Sequence, residues 1–98
     1  MPYPGIMLLF AASSLAPAHA QQAAAPLAAQ GCLGCHGPNG TGAGSVPALA
    51  GRDRIEMTAQ MAAFRANARP ATIMGRIARG YTDAEFAAVA EYFARQPR

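Results

Sequence analysis

The residues of this 98-residue chain that can do chemistry are concentrated in one short motif, GCLGCHG, at positions 31–37. Cys32 and Cys35 lie three residues apart, and His36 follows the second cysteine directly. The sequence contains no other cysteine, and its one other histidine is His19. Any chemistry that needs a pair of thiols must therefore use this motif.

Three kinds of site use two cysteines at this spacing: a redox-active dithiol, half of a zinc site, and covalent haem attachment. A thioredoxin-like dithiol would follow a β-strand, and the sequence shows no strand-like alternation. A structural zinc site needs four protein ligands, and the chain offers no good fourth beside Cys32, Cys35 and His36. Haem attachment needs only what is present, because residues three apart share one face of a helix. The motif favours one covalent haem c with His36 on the iron, and leaves the dithiol and a zinc site shared with a partner as alternatives.

The first twenty residues predict a secretory leader. The apolar stretch at residues 6–16 is too short to span a bilayer, and AHA at residues 18–20 is a small-x-small cleavage signature. Residues 1–5, before the apolar stretch, carry no Lys or Arg, which departs from the usual leader. An uncleaved N-terminal anchor is the alternative. Cleavage after Ala20 would leave one periplasmic domain, residues 21–98, with no stable membrane insertion. That location agrees with haem c, which is attached outside the cytoplasm.

The composition indicates one small helical domain. A domain this small buries only a limited core and usually needs a further stabilising feature, such as a disulfide or a bound metal. A covalent haem would serve this purpose by supplying a large apolar surface. All eight basic residues are arginines, and the formal net charge is +3. No aromatic residues are interleaved among them in a way that supports nucleic-acid binding. The expected fold class is all-α.

Glycine and proline positions predict where the first elements begin and end. A helix over about residues 22–32, with Pro26 in its first turn, leads into the motif. Residues 37–51 are dense in Gly, Pro, Asn and Ser and predict an irregular loop. The segment 68–80 predicts one short helix with Pro70 at its first position.

Two capping boxes predict two further helices. Asp53 and Glu56 open a helix that runs through about Asn67, and Thr82 and Glu85 open the last one. The last helix carries an apolar stripe at i, i+3, i+4 and i+7, typical of a buried helix face: Phe86, Val89, Ala90 and Phe93.

These features, in this order, resemble a small class I cytochrome c. The resemblance rests on three stretches of the sequence: CLGCHGPNG, VPALAGR and MAAFRANARPATIMGRIARGYTDAEFAAVAEYFARQP. More narrowly, they are similar to the cytochrome subunit of flavocytochrome c sulfide dehydrogenase. The resemblance implies three to four helices and a Gly/Pro loop wrapped around one covalent haem. It also implies single-electron transfer from a flavoprotein that oxidises sulfide. A free soluble shuttle, or a five-coordinate gas-binding or peroxidatic haem protein, is the alternative.

Three methionines are candidates for the second axial ligand. Met57 and Met61 form a stripe with Phe64 at i, i+4 and i+7, and such stripes are more often core filling than ligands. In class I cytochromes the ligand methionine sits just before the C-terminal helix, and Met74 is the candidate in that place. The resemblance therefore assigns the iron ligands as His36 and Met74, with core packing of Met74 as the alternative.

The resemblance also implies residues that support the haem. A proline carbonyl in the loop after the motif holds the histidine ring in this family, and Pro47 occupies the matching place for His36. Leu49 would pack near the haem edge. Arg52 would meet a propionate or remain an ordinary solvated arginine.

The region around Met74 is the expected docking surface for a flavoprotein or another redox protein. Ile73 and Tyr81 supply apolar surface there. Four arginines bracket the region, either ringing the exposed haem edge or forming a solvated face: Arg65, Arg69, Arg76 and Arg79.

Overall fold

The computed structural model describes residues 25–98 together with residues 2, 4 and 5. Apart from those three positions, the expected leader and its cleavage site lie outside the described residues. Within residues 25–98 the elements are helices joined by loops, and the one extended pairing is an isolated bridge between Ala43 and Val46. The all-α prediction is confirmed. The helices are α1 Leu27–His36, a 3-10 turn Pro38–Gly40, α2 Arg54–Arg65, α3 Met74–Ala78 and α4 Asp83–Ala94.

Helix α1 contains the whole cysteine–histidine motif. It begins directly after Pro26, where a missing N–H costs no hydrogen bond because the first helical N–H groups have no partner. The predicted end near residue 32 is wrong, since the helix continues through His36 and stops at Gly37, whose φ is +84°. The extra turn puts Cys35 and His36 on the same rigid element as Cys32.

Helix α2 is capped by Asp53, as predicted. The Asp53 carboxylate accepts a hydrogen bond from the Glu56 N–H at 2.8 Å. The Glu56 carboxylate accepts a hydrogen bond from the Gln60 amide at 3.1 Å, in place of the bond from the Asp53 N–H that would complete a capping box. The helix ends at Arg65, close to the predicted end, and Asn67 follows with φ +57°.

Helix α3 begins four residues later than predicted. Pro70 was expected at its first position, but the residues after it form bends and the helix starts at Met74. Thr72 and Ile73 are β-branched and therefore poor helix formers, which explains the delay. Met74 consequently lies at the very start of a helix, without a side-chain cap before it.

Helix α4 has the complete capping box that the sequence predicts. The Thr82 hydroxyl accepts from the Glu85 N–H at 3.1 Å, and the Glu85 carboxylate accepts from the Thr82 N–H at 2.9 Å. The predicted apolar stripe is buried in full. Its members are Phe86, Val89, Ala90 and Phe93.

Helix α4 is the centre of the packing. One end contacts α1 and α2 through a buried cluster composed of Ala29, Met57, Val89, Ala90 and Phe93. The other end contacts α2 and α3 through Met61, Ala78 and Phe86. Ion pairs join Arg65 to Asp83 and Arg54 to Glu91, so α2 and α4 run antiparallel.

Candidate haem site

Helix α1 presents two free thiols within one helical turn. Cys32 is half-buried, Cys35 is exposed, and they form no disulfide with each other. His36 is buried, with 7% of its surface exposed, at the end of the same helix. Thiols at i and i+3 face the same side, as attachment of one flat group at two points requires.

The His36 ring is oriented by the loop that follows it. Nδ1 lies 2.6 Å from the carbonyl oxygen of Pro47. A carbonyl oxygen can only accept, so Nδ1 carries the proton and Nε2 keeps its lone pair for a metal. Among the described residues no buried side-chain nitrogen or oxygen lacks a partner, so Nε2 is open rather than enclosed. These residues therefore fit a haem iron bound at Nε2.

Short backbone hydrogen bonds fix the loop that brings Pro47 to His36. The Gly42 N–H donates to the His36 carbonyl at 2.6 Å, directly beyond the helix end. Ala43 and Val46 then exchange two bonds, at 3.1 and 2.9 Å, which close a tight turn just before Pro47. The chain thus turns back on itself to place one proline carbonyl against the imidazole.

The far side of this loop is tied to the core at Gly40 and Gly51. The Gly40 carbonyl accepts from the Leu49 and Ala50 N–H groups at 2.7 and 2.9 Å. The Gly51 N–H donates to the Phe93 carbonyl at the end of α4, at 2.8 Å. The histidine side of the site is therefore held by α1, by the loop and by α4 together.

The three candidate methionines differ in burial. Met57 and Met61 are buried, with 3% and 6% of their surfaces exposed, one in each core cluster. Met74 is only half-buried, packs beside the cluster that contains Met61, and opens α3. This difference is the one expected if Met57 and Met61 fill the core while Met74 keeps its thioether available.

Two residues expected to support the haem lie in different surroundings. Leu49 is half-buried and packs against the cluster shared by α1 and α4. Arg52 donates to the side chain of Gln60 at 3.3 Å and lines a cavity of about 280 Å³ together with Arg98. A contact of Arg52 with a propionate stays a prediction.

Tyr81 makes a contact that the sequence did not suggest. It was expected in an interface patch, but its hydroxyl lies beside Gly31 of α1, 3.6 Å from the position that a Cβ would take there. Burial raises the pKa of the Cys32 thiol, and the Tyr81 hydroxyl opposes that rise. Burial and the neighbouring Cys32 together raise the pKa of Tyr81. Residues so far apart in the chain leave no local signal of such a contact.

Two of the four arginines near Met74 are engaged within the protein. Arg65 pairs with Asp83 at 2.5 Å, and its guanidinium lies 4.6 Å from the centre of the Phe86 ring. Arg69 lies 5.1 Å from the centre of the Phe64 ring. The other two, Arg76 and Arg79, are exposed, as is Ile73.

Comparison with known proteins agrees with a helical, haem-binding site. The sequence pattern of the cytochrome c family matches residues 21–96. The chain belongs to the cytochrome c family, whose members hold haem c covalently and transfer electrons through it.

Three relatives with known names are similar to this chain over part of their length. The chain is 49% identical over 67 residues to the "Thiosulfate dehydrogenase electron acceptor" of Stutzerimonas stutzeri, covering 64% of this chain and 31% of that protein. It is 37% identical over 62 residues to the "Cytochrome subunit of sulfide dehydrogenase" of Chlorobaculum tepidum, covering 63% and 56%. It is 39% identical over 61 residues to "Cytochrome c-552" of Acidithiobacillus ferridurans, covering 62% and 26%. The matches thus span between about a quarter and just over half of these relatives.

Proposed function

We propose that this chain is a periplasmic single-electron carrier with haem c joined to Cys32 and Cys35 and with His36 and Met74 on the iron. The observation that carries the proposal is the hydrogen bond from His36 Nδ1 to the Pro47 carbonyl. His36 lies one helical turn after Cys32, the first of the two thiols. It leaves Nε2 as the ligand atom on the helix that presents both attachment sites.

The chain's contribution would be to supply two donor atoms for the haem iron, one from His36 and one from Met74. Bound haem c with histidine and thioether ligands supplies a one-electron redox centre without an open coordination position. The hydrogen bond to Pro47 orients the imidazole and makes it a stronger donor. Met74 offers a soft sulfur, which favours the reduced metal. Buried Phe93 belongs to the apolar cluster against which Cys32 packs, and buried Phe86 belongs to the cluster against which Met74 packs. Such an arrangement suits electron transfer rather than oxygen or peroxide chemistry.

The periplasmic location is supported by the leader predicted over residues 1–20 and by its small-x-small cleavage signature. The family match begins at residue 21, directly after the proposed cleavage point. None of the described residues forms a helix long and apolar enough to cross a membrane. We infer that the working domain is residues 21–98.

For the electron donor we propose a dehydrogenase that oxidises an inorganic sulfur compound, with a sulfide-oxidising flavoprotein as the specific candidate. The names of two relatives support this class, one an electron acceptor of thiosulfate dehydrogenase and one a cytochrome subunit of sulfide dehydrogenase. On this chain, Ile73 is 57% exposed beside Met74, and Arg76 and Arg79 are exposed nearby. This surface combines apolar area with positive charge, which suits a partner with an acidic rim.

The axial ligand is tested by comparing methionine variants of the haem-loaded protein. Met74→Ala should abolish the weak long-wavelength charge-transfer band between sulfur and ferric iron, lower the potential and admit carbon monoxide. Met57→Leu and Met61→Leu nearly conserve core volume and should keep the band. If Met61→Leu loses the band and Met74→Ala retains it, the assignment of Met74 is wrong.

The partnership is tested by purifying the protein from its native periplasm and separating the extract by size at low and high salt. A permanent subunit with a large apolar interface should remain with a flavin-containing chain under both conditions. A free shuttle steered by charge should bind weakly and separate as salt rises. Haem that elutes alone, near the mass of one chain and without flavin at either salt, contradicts a permanent complex with a flavoprotein and indicates a free shuttle.

A further inference from the structure

Gly37 is the residue at which the loop after α1 folds back against the end of the helix. Its φ is +84°, and a Cβ added there would lie 2.5 Å from the carbonyl oxygen of Gly42 and 3.1 Å from its carbonyl carbon. Gly42 is also bonded to the helix, because its N–H donates to the His36 carbonyl at 2.6 Å. The backbone of Gly42 therefore occupies the space that a side chain at position 37 would need.

The backbone of Gly42 leads directly into the turn that ends at Pro47. Ala43 follows Gly42, and Ala43 and Val46 exchange two hydrogen bonds, at 3.1 and 2.9 Å. The next residue, Pro47, accepts from His36 Nδ1 at 2.6 Å. Because hydrogen bonds join the two sides of this turn, a displacement of Gly42 is carried on to the Pro47 carbonyl.

We propose that Gly37 is a positioning residue for the iron ligand, because its missing side chain lets the loop close and strengthens the hydrogen bond from His36 to Pro47. This rests on the proposed function, since it treats His36 as a haem ligand. A hydrogen bond from the far ring nitrogen makes the imidazole a stronger donor to the metal. A stronger donor favours ferric iron, and such hydrogen bonds are one of the protein's means of setting the potential. The closed loop therefore holds the reduction potential below the value that a looser loop would give.

Gly37→Ala gives the first test. The added methyl group overlaps with backbone atoms, which cannot turn aside as a side chain can, so the loop must shift and weaken the bond from His36 to Pro47. In the haem-loaded protein, at a fixed applied potential, the ratio of ferrous to ferric protein should rise about two- to tenfold, the size of one modest hydrogen bond. Gly44→Ala is the matched control, because Gly44 also has positive φ but a Cβ there would meet nothing within 4 Å. Its ratio should equal that of the wild type.

Gly42→Ala gives the second test and does not depend on the folding of Gly37→Ala. A Cβ on Gly42 would lie 3.2 Å from the nitrogen of Ala48 and 3.3 Å from the carbonyl oxygen of Val46. These contacts are tight but shorten no distance below 3 Å, so the loop needs to shift less than in Gly37→Ala. The ferrous-to-ferric ratio should therefore rise by a smaller factor, between those of Gly44→Ala and Gly37→Ala.

The ring proton of His36 reports on the same hydrogen bond without use of the potential. His36 is the one histidine of residues 21–98, so isotope-labelled histidine gives an unambiguous nuclear magnetic resonance signal. In the ferrous protein the Nδ1–H signal should move upfield and exchange faster with solvent in Gly37→Ala than in Gly44→Ala. A glycine that served only the stability of the fold would change the free energy of unfolding and leave this signal in place.

The intact mass separates failure of this inference from failure of the proposed function. A wild-type protein without covalent haem would refute the proposed function itself. Variants with attached haem and an intact sulfur-to-iron band test the loop alone, and Gly42→Ala decides the matter if Gly37→Ala does not fold. If the variants that fold keep the ratio and the ring-proton signal of the Gly44→Ala control, or if their ratio falls, Gly37 does not position His36 and the inference is refuted.

Discussion

Gly40 ends the short 3-10 turn after α1 and lies close to the ring of Phe93. Its φ is +71°, and a Cβ added there would lie 2.5 Å from Phe93 Cε1 and 2.6 Å from Cδ1. Phe93 is fully buried, so its ring cannot turn out into solvent. The same glycine's carbonyl holds Leu49 and Ala50. A methyl group at this position must therefore displace either the ring or the loop.

The expected cost of Gly40→Ala has two parts. Holding a residue with a Cβ at positive φ costs about 1–2 kcal/mol. Forcing one more carbon into a packed core costs about 1–3 kcal/mol. Together they lower the free energy of unfolding by about 2–5 kcal/mol, a large share of the roughly 5–15 kcal/mol that stabilises an ordinary domain.

Gly44 provides the matched control. It also has positive φ, +57°, but a Cβ there would meet nothing within 4 Å. Gly44→Ala should therefore show only the backbone part, about 1–2 kcal/mol. The difference between the two variants isolates the contact with Phe93.

The assay is urea unfolding of the haem-loaded proteins, followed by far-ultraviolet circular dichroism. Phe93→Leu removes ring atoms at the point of overlap, so it should offset part of the cost of Gly40→Ala in a double-mutant cycle. If Gly40→Ala is no more destabilising than Gly44→Ala, or if Phe93→Leu adds to it without compensation, the packing argument is refuted.

Three further outcomes can be measured directly. The intact mass of the mature protein should equal that of residues 21–98 plus one haem, and extraction of haem from the wild-type protein by acidified solvent would contradict covalent attachment. The Cys35→Ala variant should keep its haem through the one remaining thioether, at Cys32. Thr82→Ala removes the hydroxyl that accepts from Glu85 and should lower the free energy of unfolding by about 1 kcal/mol in urea; an unchanged midpoint would contradict the capping role. The sulfur-to-iron band of Met74 should vanish at lower urea than the helical signal, because short, weakly tied segments open first; coincident transitions would contradict this order.

The features that the sequence predicts well are those with local causes. The capping box at Thr82 and Glu85 involves groups three residues apart, and it fixes where α4 begins. The buried stripe of α4 follows from helical periodicity alone, and it defines the face around which the other helices pack. The spacing of Cys32 and Cys35 likewise predicts a shared face wherever the chain is helical.

The predictions that failed depend on competition between local preference and packing. Gly31 and Gly34 weaken a helix, and the predicted end of α1 lay near residue 32. Instead α1 packs Cys32 and Leu33 against the buried cluster at α4, and that burial carries the helix on to His36. The approach of Tyr81 to Gly31 on α1 is of the same kind, because only the tertiary fold brings the two residues together.

The two proposed iron ligands, His36 and Met74, lie in segments that differ in how firmly the fold holds them. His36 ends a ten-residue helix, and the loop holding Pro47 against it is bonded to both α1 and α4. Met74 opens a five-residue helix that has no side-chain cap and follows an exposed stretch, residues 66–73. So short a helix gains little stability from its own hydrogen bonds, and its position depends on Ala78 in the core and on the turn at Tyr81. The histidine side is thus built into the fold, whereas the methionine side is the part that a mutation or a docking partner can most readily shift.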